Sequence, residues 1–259
     1  MPTWNPAKYL QFAEERSRPC HDLAARVKIA APRAIIDLGC GPGNSTEVLA
    51  ARWPDAGITG LDSSPDMIAA ARERHPAANW IVGDIAAWAG GEPASFDLVF
   101  SNAALQWVRR QDEVLPQLFQ RVRPGGALAV QVPSNWNAPA HVEMRALAES
   151  RVWADRLARA RENDWRTETA GKYYDILAPL TEQVDLWETE YLHVVESASA
   201  IVEWYRGTGL RPFLEALATE EERAEFVEEY ADRIRPHYLP RSNGKVLFPF
   251  RRTFFIAYR

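Results

Sequence analysis

Cysteine is nearly absent. Only Cys20 and Cys40 occur in 259 residues, too few and too differently placed for a disulfide framework or a zinc site, so no bound metal is expected. Long apolar runs are missing as well. Nothing approaches membrane-spanning length, and the opening "MPTWNPAKYL" lacks the apolar stretch of a secretory signal. A basic surplus is missing too: the formal net charge of −5 speaks against a dedicated nucleic-acid binder, although a local arginine cluster can still serve an acidic ligand. These absences leave the expectation of a soluble cytoplasmic protein without a nucleic-acid, membrane or obligate protein partner. Apolar residues are 47% and charged residues 25% of the chain, enough for a substantial core.

What is present alternates. From Ala34 to Pro133, short apolar runs occur at Ala34 to Leu38, Ile58 to Leu61, Trp80 to Val82, Leu98 to Phe100 and Ala127 to Val132. Each has strand length and is too evenly apolar for a half-exposed strand, as in a parallel sheet covered on both faces. Helical punctuation separates them. In "SPDMIAAARERHP" (64 to 76), Ser64 predicts a cap, Pro65 suits the first turn, Pro76 closes the helix, and Met67, Ile68 and Ala71 form the buried stripe. After Pro133 the pattern changes. Residues 138 to 178 and 198 to 234 read as helical, and "TEEE" at 219 to 222 is a capping-box signature. "VDLWETEYLHVV" (184 to 195) and the terminal "KVLFPFRRTFFIAYR" read as two further strands. The prediction is an α/β fold, a doubly wound and mostly parallel seven-stranded sheet with helical insertions after the fifth and sixth strands.

"IIDLGCGPGNST" (35 to 46) ends the first strand in Gly39, Gly41 and Gly43, a G-x-G-x-G turn that leads backbone amides and a helix start toward a ligand. The spacing departs from the dinucleotide pattern G-x-G-x-x-G. By itself the trio also fits a tight strand-to-helix turn without ligand. Three further features accompany it. Asp62 ends the second strand at the offset expected of a ribose-binding carboxylate, Asp84 follows the third in "VGDI", and Ser101 and Asn102 end the fourth in "FDLVFSNAALQW". Each carboxylate alone is more often a turn or cap residue.

Together these motifs resemble the class I S-adenosylmethionine-dependent methyltransferases over roughly residues 30 to 135. The resemblance implies S-adenosyl-L-methionine as cofactor and a loop that meets its methionine part rather than a diphosphate. It implies that Asp37, Gly39, Gly41 and Asn44 face the amino-acid moiety, and that Asp62 holds the ribose with Ser63 and Met67 nearby. Asp84 and Ile85 then contact adenine, and Asn102 and Trp107 border the sulfonium. Arg18, in the N-terminal segment that commonly covers the cofactor, is expected to pair with the methionine carboxylate. The flanks "WNPAKYLQFAEERSRP", "NWNAPAHVEMR", "YYDIL" and "TGLRPFL" are similar to the trans-aconitate 2-methyltransferase family over nearly the full chain. That resemblance implies a small polycarboxylate acceptor, trans-aconitate, esterified at one carboxylate. It divides the chain into a helical cofactor cover (1–29), a cofactor-binding core (30–135) and a substrate cap with the last two strands (136–259).

Such chemistry needs no catalytic residue for proton removal, because a carboxylate is already ionised near neutral pH. It needs orientation, a dry pocket and cations for the remaining carboxylates. The candidate grip residues are Tyr9, Trp136, Arg145, Tyr173, Tyr174, Arg211 and Arg252. Most of them have a plainer reading as well. For Arg145 it is a helix-surface pair with Glu149, for Tyr173 and Tyr174 packing where the insertion meets the sheet. For Arg211 it is a bond to a helix end, and for Arg252 a solvent-facing place on its strand. The alternatives are another small-molecule methyltransferase, a nicotinamide oxidoreductase disfavoured by the glycine spacing, and a non-catalytic adenosine-binding module.

Overall fold

The computed structural model describes residues 13–92, 95–161 and 167–259. Tyr9 lies outside the described residues. Seven strands form one sheet: β1 (Ala34–Leu38), β2 (Gly57–Asp62), β3 (Asn79–Val82), β4 (Phe96–Asn102), β5 (Val122–Pro133), β6 (Val184–Val195) and β7 (Val246–Tyr258). Their order is β3-β2-β1-β4-β5-β7-β6. The pairs among β1 to β5 are parallel, whereas β7 runs antiparallel to both β5 and β6. Because the order reverses at β1, a crevice opens between the carboxyl ends of β1 and β4.

The helices are α1 (Ala13–Arg26), α2 (Asn44–Arg52), α3 (Pro65–Arg74), α4 (Ile85–Gly90), α5 (Gln111–Gln120), α6 (Pro139–Ala148), α7 (Ala158–Arg161), α8 (Ala170–Leu177), α9 (Ala198–Arg206), α10 (Arg211–Ala216) and α11 (Glu220–Ile234). The expected local signals act as read. The Ser64 side chain accepts from Met67 N, Met67, Ile68 and Ala71 are buried, and Thr219 with Glu222 closes a capping box on α11. An N-cap of this kind contributes about 1 kcal/mol. The helical insertions follow the fifth and sixth strands, as the sequence predicts.

Three apolar layers hold the fold. On one sheet face Ile35, Leu98, Phe100, Ala129 and Phe254 pack against Leu23 of α1 and Leu49 of α2. On the other, Ile36, Val99, Val130 and Phe255 meet Leu115 of α5 and Tyr173 of α8. The third layer lies in the cap, where Met144, Trp153, Tyr205, Phe226 and Tyr230 gather on Phe248. Each fully buried large side chain contributes on the order of 1.5–3 kcal/mol. The antiparallel β6–β7 pair stays in register from Val184↔Ala257 to Val195↔Val246, so these two long strands serve both the sheet core and the cap. Helix α1 is tied to β6. Arg26 donates to both Asp185 oxygens (2.7 and 2.9 Å) and lies 4.3 Å over the Trp187 ring. Among the described residues, no helix is long and apolar enough to cross a membrane.

Candidate active site

The glycine loop leaves β1 and turns at once into α2. Gly39 adopts φ +70°, and a Cβ there would sit 2.2 Å from the Ala104 Cβ. The neighbour that forbids a side chain at Gly39 is therefore the chain's own turn after β4. Gly41 is different: its φ is +54° and a Cβ would meet nothing within 4 Å, so its backbone faces open space. Behind the loop, Asp37 is wholly buried, and its Oδ2 accepts from Ser45 Oγ and Thr46 Oγ1, both at 2.7 Å. Burial pushes the Asp37 carboxyl up to about 6, against the pull of those two hydroxyls and with a further push from the Asp62 charge. Thr46, at the place of the absent third dinucleotide glycine, thus holds the acidic residue of the loop.

Asp62 tightens the same turn. Its Oδ2 accepts from Gly41 N (2.9 Å) and its Oδ1 from Ser64 N (2.9 Å). Desolvation raises its pKa, and the backbone amides of Ser64, Gly41 and Ser63 pull it back. A carboxylate has about four acceptor positions, so both oxygens retain capacity for a diol. Asp62, Ser63 and Met67 line a cleft of about 160 Å³ together with Asp84, Ile85 and Trp107. Asp84 also caps α4, accepting from Ala87 N at 2.9 Å, so the plain role and the cleft role coexist. Between Asn102 and the Leu105–Trp107 turn, Ala103 is held at φ 55°, an unfavourable conformation for a residue with a Cβ. It lines the cleft too.

A smaller cavity continues beyond Gly39, where Asn44 and Asn102 meet Ser17 and Cys20 of α1. This is where α1 acts as a cover. Arg18 itself lies 5.1 Å over the Tyr191 ring. Burial and the Asp37 charge raise the Cys20 and Cys40 thiols, keeping both protonated.

On the α1 side of the sheet a polar row extends from this cavity. Asn102 pairs with Gln131 and Gln131 with Phe254, while Arg252 pairs with Thr189. Alternation puts these side chains and those of Tyr191 and His193 on one face. Arg252 is 3% exposed, donates from Nη1 to Gln131 Oε1 (3.3 Å) and lies 4.6 Å over the Phe250 ring. The solvent-facing reading of Arg252 is thereby excluded. Tyr191 donates to Asp22 of α1, tying the row to its cover. Above it, Asn135 Nδ2 donates to Tyr205 Oη (3.0 Å), and the Arg252 charge lowers the pKa that burial raises at Tyr205.

The remaining candidates separate. Arg145 donates to the Trp136 carbonyl (2.9 Å) and lies 4.0 Å over its ring, at the edge of the cap. Trp136 stacks on His141, which burial pushes down to about 3, too weak a base to remove a proton from an acceptor. Arg211 opens α10, forms an ion pair with Glu215 at 3.5 Å, and is lowered by burial. Tyr173 and Tyr174 require correction. Tyr173 is 0% exposed on the opposite sheet face, packed on Phe255, where its hydroxyl donates to Gln111 Oε1 (2.6 Å) and accepts from Glu168 N (3.2 Å). Tyr174 points outward, 52% exposed. Neither shares a space with Arg252. Gln131 and His193 escaped sequence reasoning. A lone glutamine in the apolar "ALAVQVP" was the available signal; His193 offered none.

The donor set fits S-adenosyl-L-methionine. Asp37 Oδ1 and Asn102 Oδ1 are buried acceptors with no partner, the complement of an ammonium group, and Asp62 and Asp84 offer acceptors for hydroxyl and amine groups. Among the described residues, no cluster of His, Cys, Asp or Glu could hold a metal ion.

Comparisons agree with this geometry. A family model described as a methyltransferase domain matches residues 35–126. The chain is 48% identical to a trans-aconitate 2-methyltransferase of Azoarcus sp. (strain BH72), with all of both chains covered. It is 46% identical to one of Paracidovorax citrulli (strain AAC00-1), covering 100% of this chain and 99% of that one. Among solved structures, the YcgJ protein of Bacillus has the same fold at TM-score 0.61 and 13% identity, covering 93% of this chain and 99% of that one. A Haemonchus contortus phosphoethanolamine N-methyltransferase 2, bound to S-adenosylhomocysteine, superposes at TM-score 0.56 and 14% identity, covering 93% and 52%.

Proposed function

This chain belongs to the trans-aconitate 2-methyltransferase family of S-adenosylmethionine-dependent enzymes, and from that membership we propose that it esterifies one carboxylate of trans-aconitate, held beside the cofactor by Arg252. When bound, S-adenosyl-L-methionine supplies an electrophilic methyl carbon on its sulfonium. Asp62, with Ser63 and Met67, holds the ribose; Asp84 and Ile85 hold the adenine; Asp37, Asn44 and Asn102 receive the amino-acid end. Trp107 closes the cleft at the reacting side.

The acceptor arrives ionised, so the protein supplies orientation and a dry setting rather than a base. The single observation that carries this reading is the buried Arg252–Gln131 pair, one strand away from Asn102 on the same sheet face. A guanidinium this deep, its charge little screened by water, is suited to grip an anionic ligand, and a polycarboxylate is one. Phe250, Tyr191 and Trp204 exclude water around it. Arg145, Trp136 and Arg211 rim the cap above. On this reading the chain divides into a cover (1–29), a core (30–135) and a cap (136–259). The reaction is assigned to the cytoplasm, with no nucleic-acid, membrane or protein partner required.

The test is methyl transfer from labelled S-adenosyl-L-methionine to a panel of di- and tricarboxylates, phenols and amines. Preferential formation of a trans-aconitate monomethyl ester is expected. Turnover of a phenol or amine in its place would favour another small-molecule methyltransferase.

A further inference from the structure

We propose that Gln131 and His193 are specificity-determining residues for this reaction, two neutral donors on either side of Arg252 that recognise the carboxylates left unmethylated. The proposal rests on the trans-aconitate reading above and adds to it the groups that distinguish a tricarboxylate from a dicarboxylate.

The placement comes from strand register. Asn102, at the cofactor cavity, is paired with Gln131 on β5. Gln131 is paired with Phe254 on β7, two residues from Arg252 on the same face. Arg252 is paired with Thr189 on β6, four residues before His193. Diagonal neighbours on one sheet face stand about 7–8 Å apart. Gln131 and Arg252 stand in that diagonal relation, whereas His193 lies further along β6, opposite Phe248, and meets the Arg252 side chain at Phe250, whose ring Arg252 covers at 4.6 Å and His193 approaches at 6.1 Å.

Gln131 is 0% exposed and His193 7% exposed. The Gln131 carbonyl oxygen is occupied by Arg252 Nη1, which turns its amide nitrogen away, and that Nε2 has no acceptor. His193 Nε2 is likewise buried without a partner. Its ring is held in place by Trp204 (5.2 Å), Phe248 (6.0 Å) and Phe250 (6.1 Å), so the nitrogen is oriented by packing rather than by a hydrogen bond. The plain alternative makes both residues core filler. Buried polar atoms as a rule have partners, and two without one on a single row that ends at a cofactor cavity favour a ligand role.

Neutrality is part of the design. Burial, then the charges of Arg252 and Arg18, push His193 down to about 4, so it remains uncharged at neutral pH. A neutral donor is matched to a carboxylate that Arg252 already faces, whereas another buried cation would lack a counter-charge when the site is empty. The arrangement holds a dianionic remainder with one full charge and two directional hydrogen bonds.

The experiment compares Gln131→Leu and His193→Phe with the unmodified enzyme, using trans-aconitate and two dicarboxylic analogues that each lack one carboxylate. The readouts are kcat and KM for each acceptor, S-adenosylhomocysteine binding by calorimetry, and Tm. The expected result is a drop of about tenfold or more in kcat/KM for trans-aconitate, carried by KM, as for loss of one recognised polar group. For at least one dicarboxylate the change stays within about twofold, so the discrimination ratio collapses. His193→Gln, which keeps a donor, recovers part of it and serves if His193→Phe folds poorly. Equal losses on all acceptors, or no change on any, overturns the proposal while leaving the reaction intact. Failure of the unmodified enzyme to turn over any tricarboxylate overturns the underlying reading instead.

Discussion

The two faces of the β5–β7 pair differ in what they leave unsatisfied. On the α8 face, Tyr173 is buried and fully occupied: it packs on Phe255, donates to Gln111 and accepts from Glu168 N. On the α1 face, Gln131 and His193 carry buried nitrogens without partners, beside a buried arginine. Both faces contain large aromatics and polar tips. The closed network holds an insertion onto the sheet, and the open one is where the acceptor is proposed to bind. Burial of a tyrosine or arginine is thus not enough to assign it to a site; the state of its neighbours' donors and acceptors decides.

Substitutions on the two faces should separate this comparison most widely. Arg252→Met should lower kcat/KM for the acceptor by about 30-fold to several thousand-fold, on the order of 2–5 kcal/mol for truncating one member of a buried charge pair. S-adenosylhomocysteine affinity should barely change. Steady-state kinetics with calorimetry on the same preparation checks both. An unaltered acceptor KM would move the grip elsewhere, with Arg211 the next residue to replace.

Asp62→Ala comes next in size and concerns the cofactor half alone. Removing a carboxylate that holds Gly41 N and Ser64 N, and that is proposed to hold the ribose, should weaken cofactor binding by about 2–3 kcal/mol. Calorimetry on the folded variant reads it, and unchanged affinity removes the ribose assignment.

A pH titration sharpens the contrast between the halves. Asp37, pushed up to about 6, is protonated in the unliganded fold below that pH, and an ammonium group beside it favours the ionised form. Cofactor affinity should fall about tenfold per pH unit below about 6, with proton release detectable by calorimetry in buffers of different ionisation heat. For stability the signs oppose. The raised Asp37 contributes stability that is complete below the ordinary carboxylate pKa and lost as pH rises through about 6. The lowered His193 contributes stability that is complete above about 6.5 and lost as pH falls toward about 4. Comparing Tm against pH for the enzyme and for Asp37→Asn exposes the Asp37 part, and an identical slope would contradict it.

The smallest effect on activity is expected from Tyr173→Phe. Loss of the hydroxyl should cost about 1–3 kcal/mol of stability, because Gln111 Oε1 and Glu168 N lose their partner. Acceptor KM should stay within about twofold. Thermal unfolding and kinetics on the same sample test this, and a large KM change would return Tyr173 to the site.

The cofactor half was legible because its signals are local. Gly39 to Gly43, Asp37, Asp62 and Ser64 act through turns, caps and hydroxyls within a few residues, or at the end of the neighbouring strand. The acceptor half depends on pairing between distant segments. Whether Arg252 or Thr253 faces α1 is set by the β5–β7 register, between residues more than a hundred positions apart. "YYDIL" correctly marks the insertion as helical, but the face on which α8 docks cannot be inferred from its own periodicity. His193 is surrounded by aromatics from β7 and α9 that no local pattern brings together. Even the glycine loop held a surprise: Gly39 makes room for Ala104, while Gly41 faces open space.

The most direct test of the account is a comparison of kcat/KM for trans-aconitate and for its dimethyl esters that keep one free carboxylate. These esters retain a nucleophile and nearly the same shape but remove the charges that Arg252 is assigned to hold. The account predicts a loss of about a hundredfold or more for the esters, carried mainly by KM, on the order of the 2–5 kcal/mol of a broken buried charge pair. Comparable turnover of ester and free acid would contradict it, because neutral esters give the buried arginine nothing to grip.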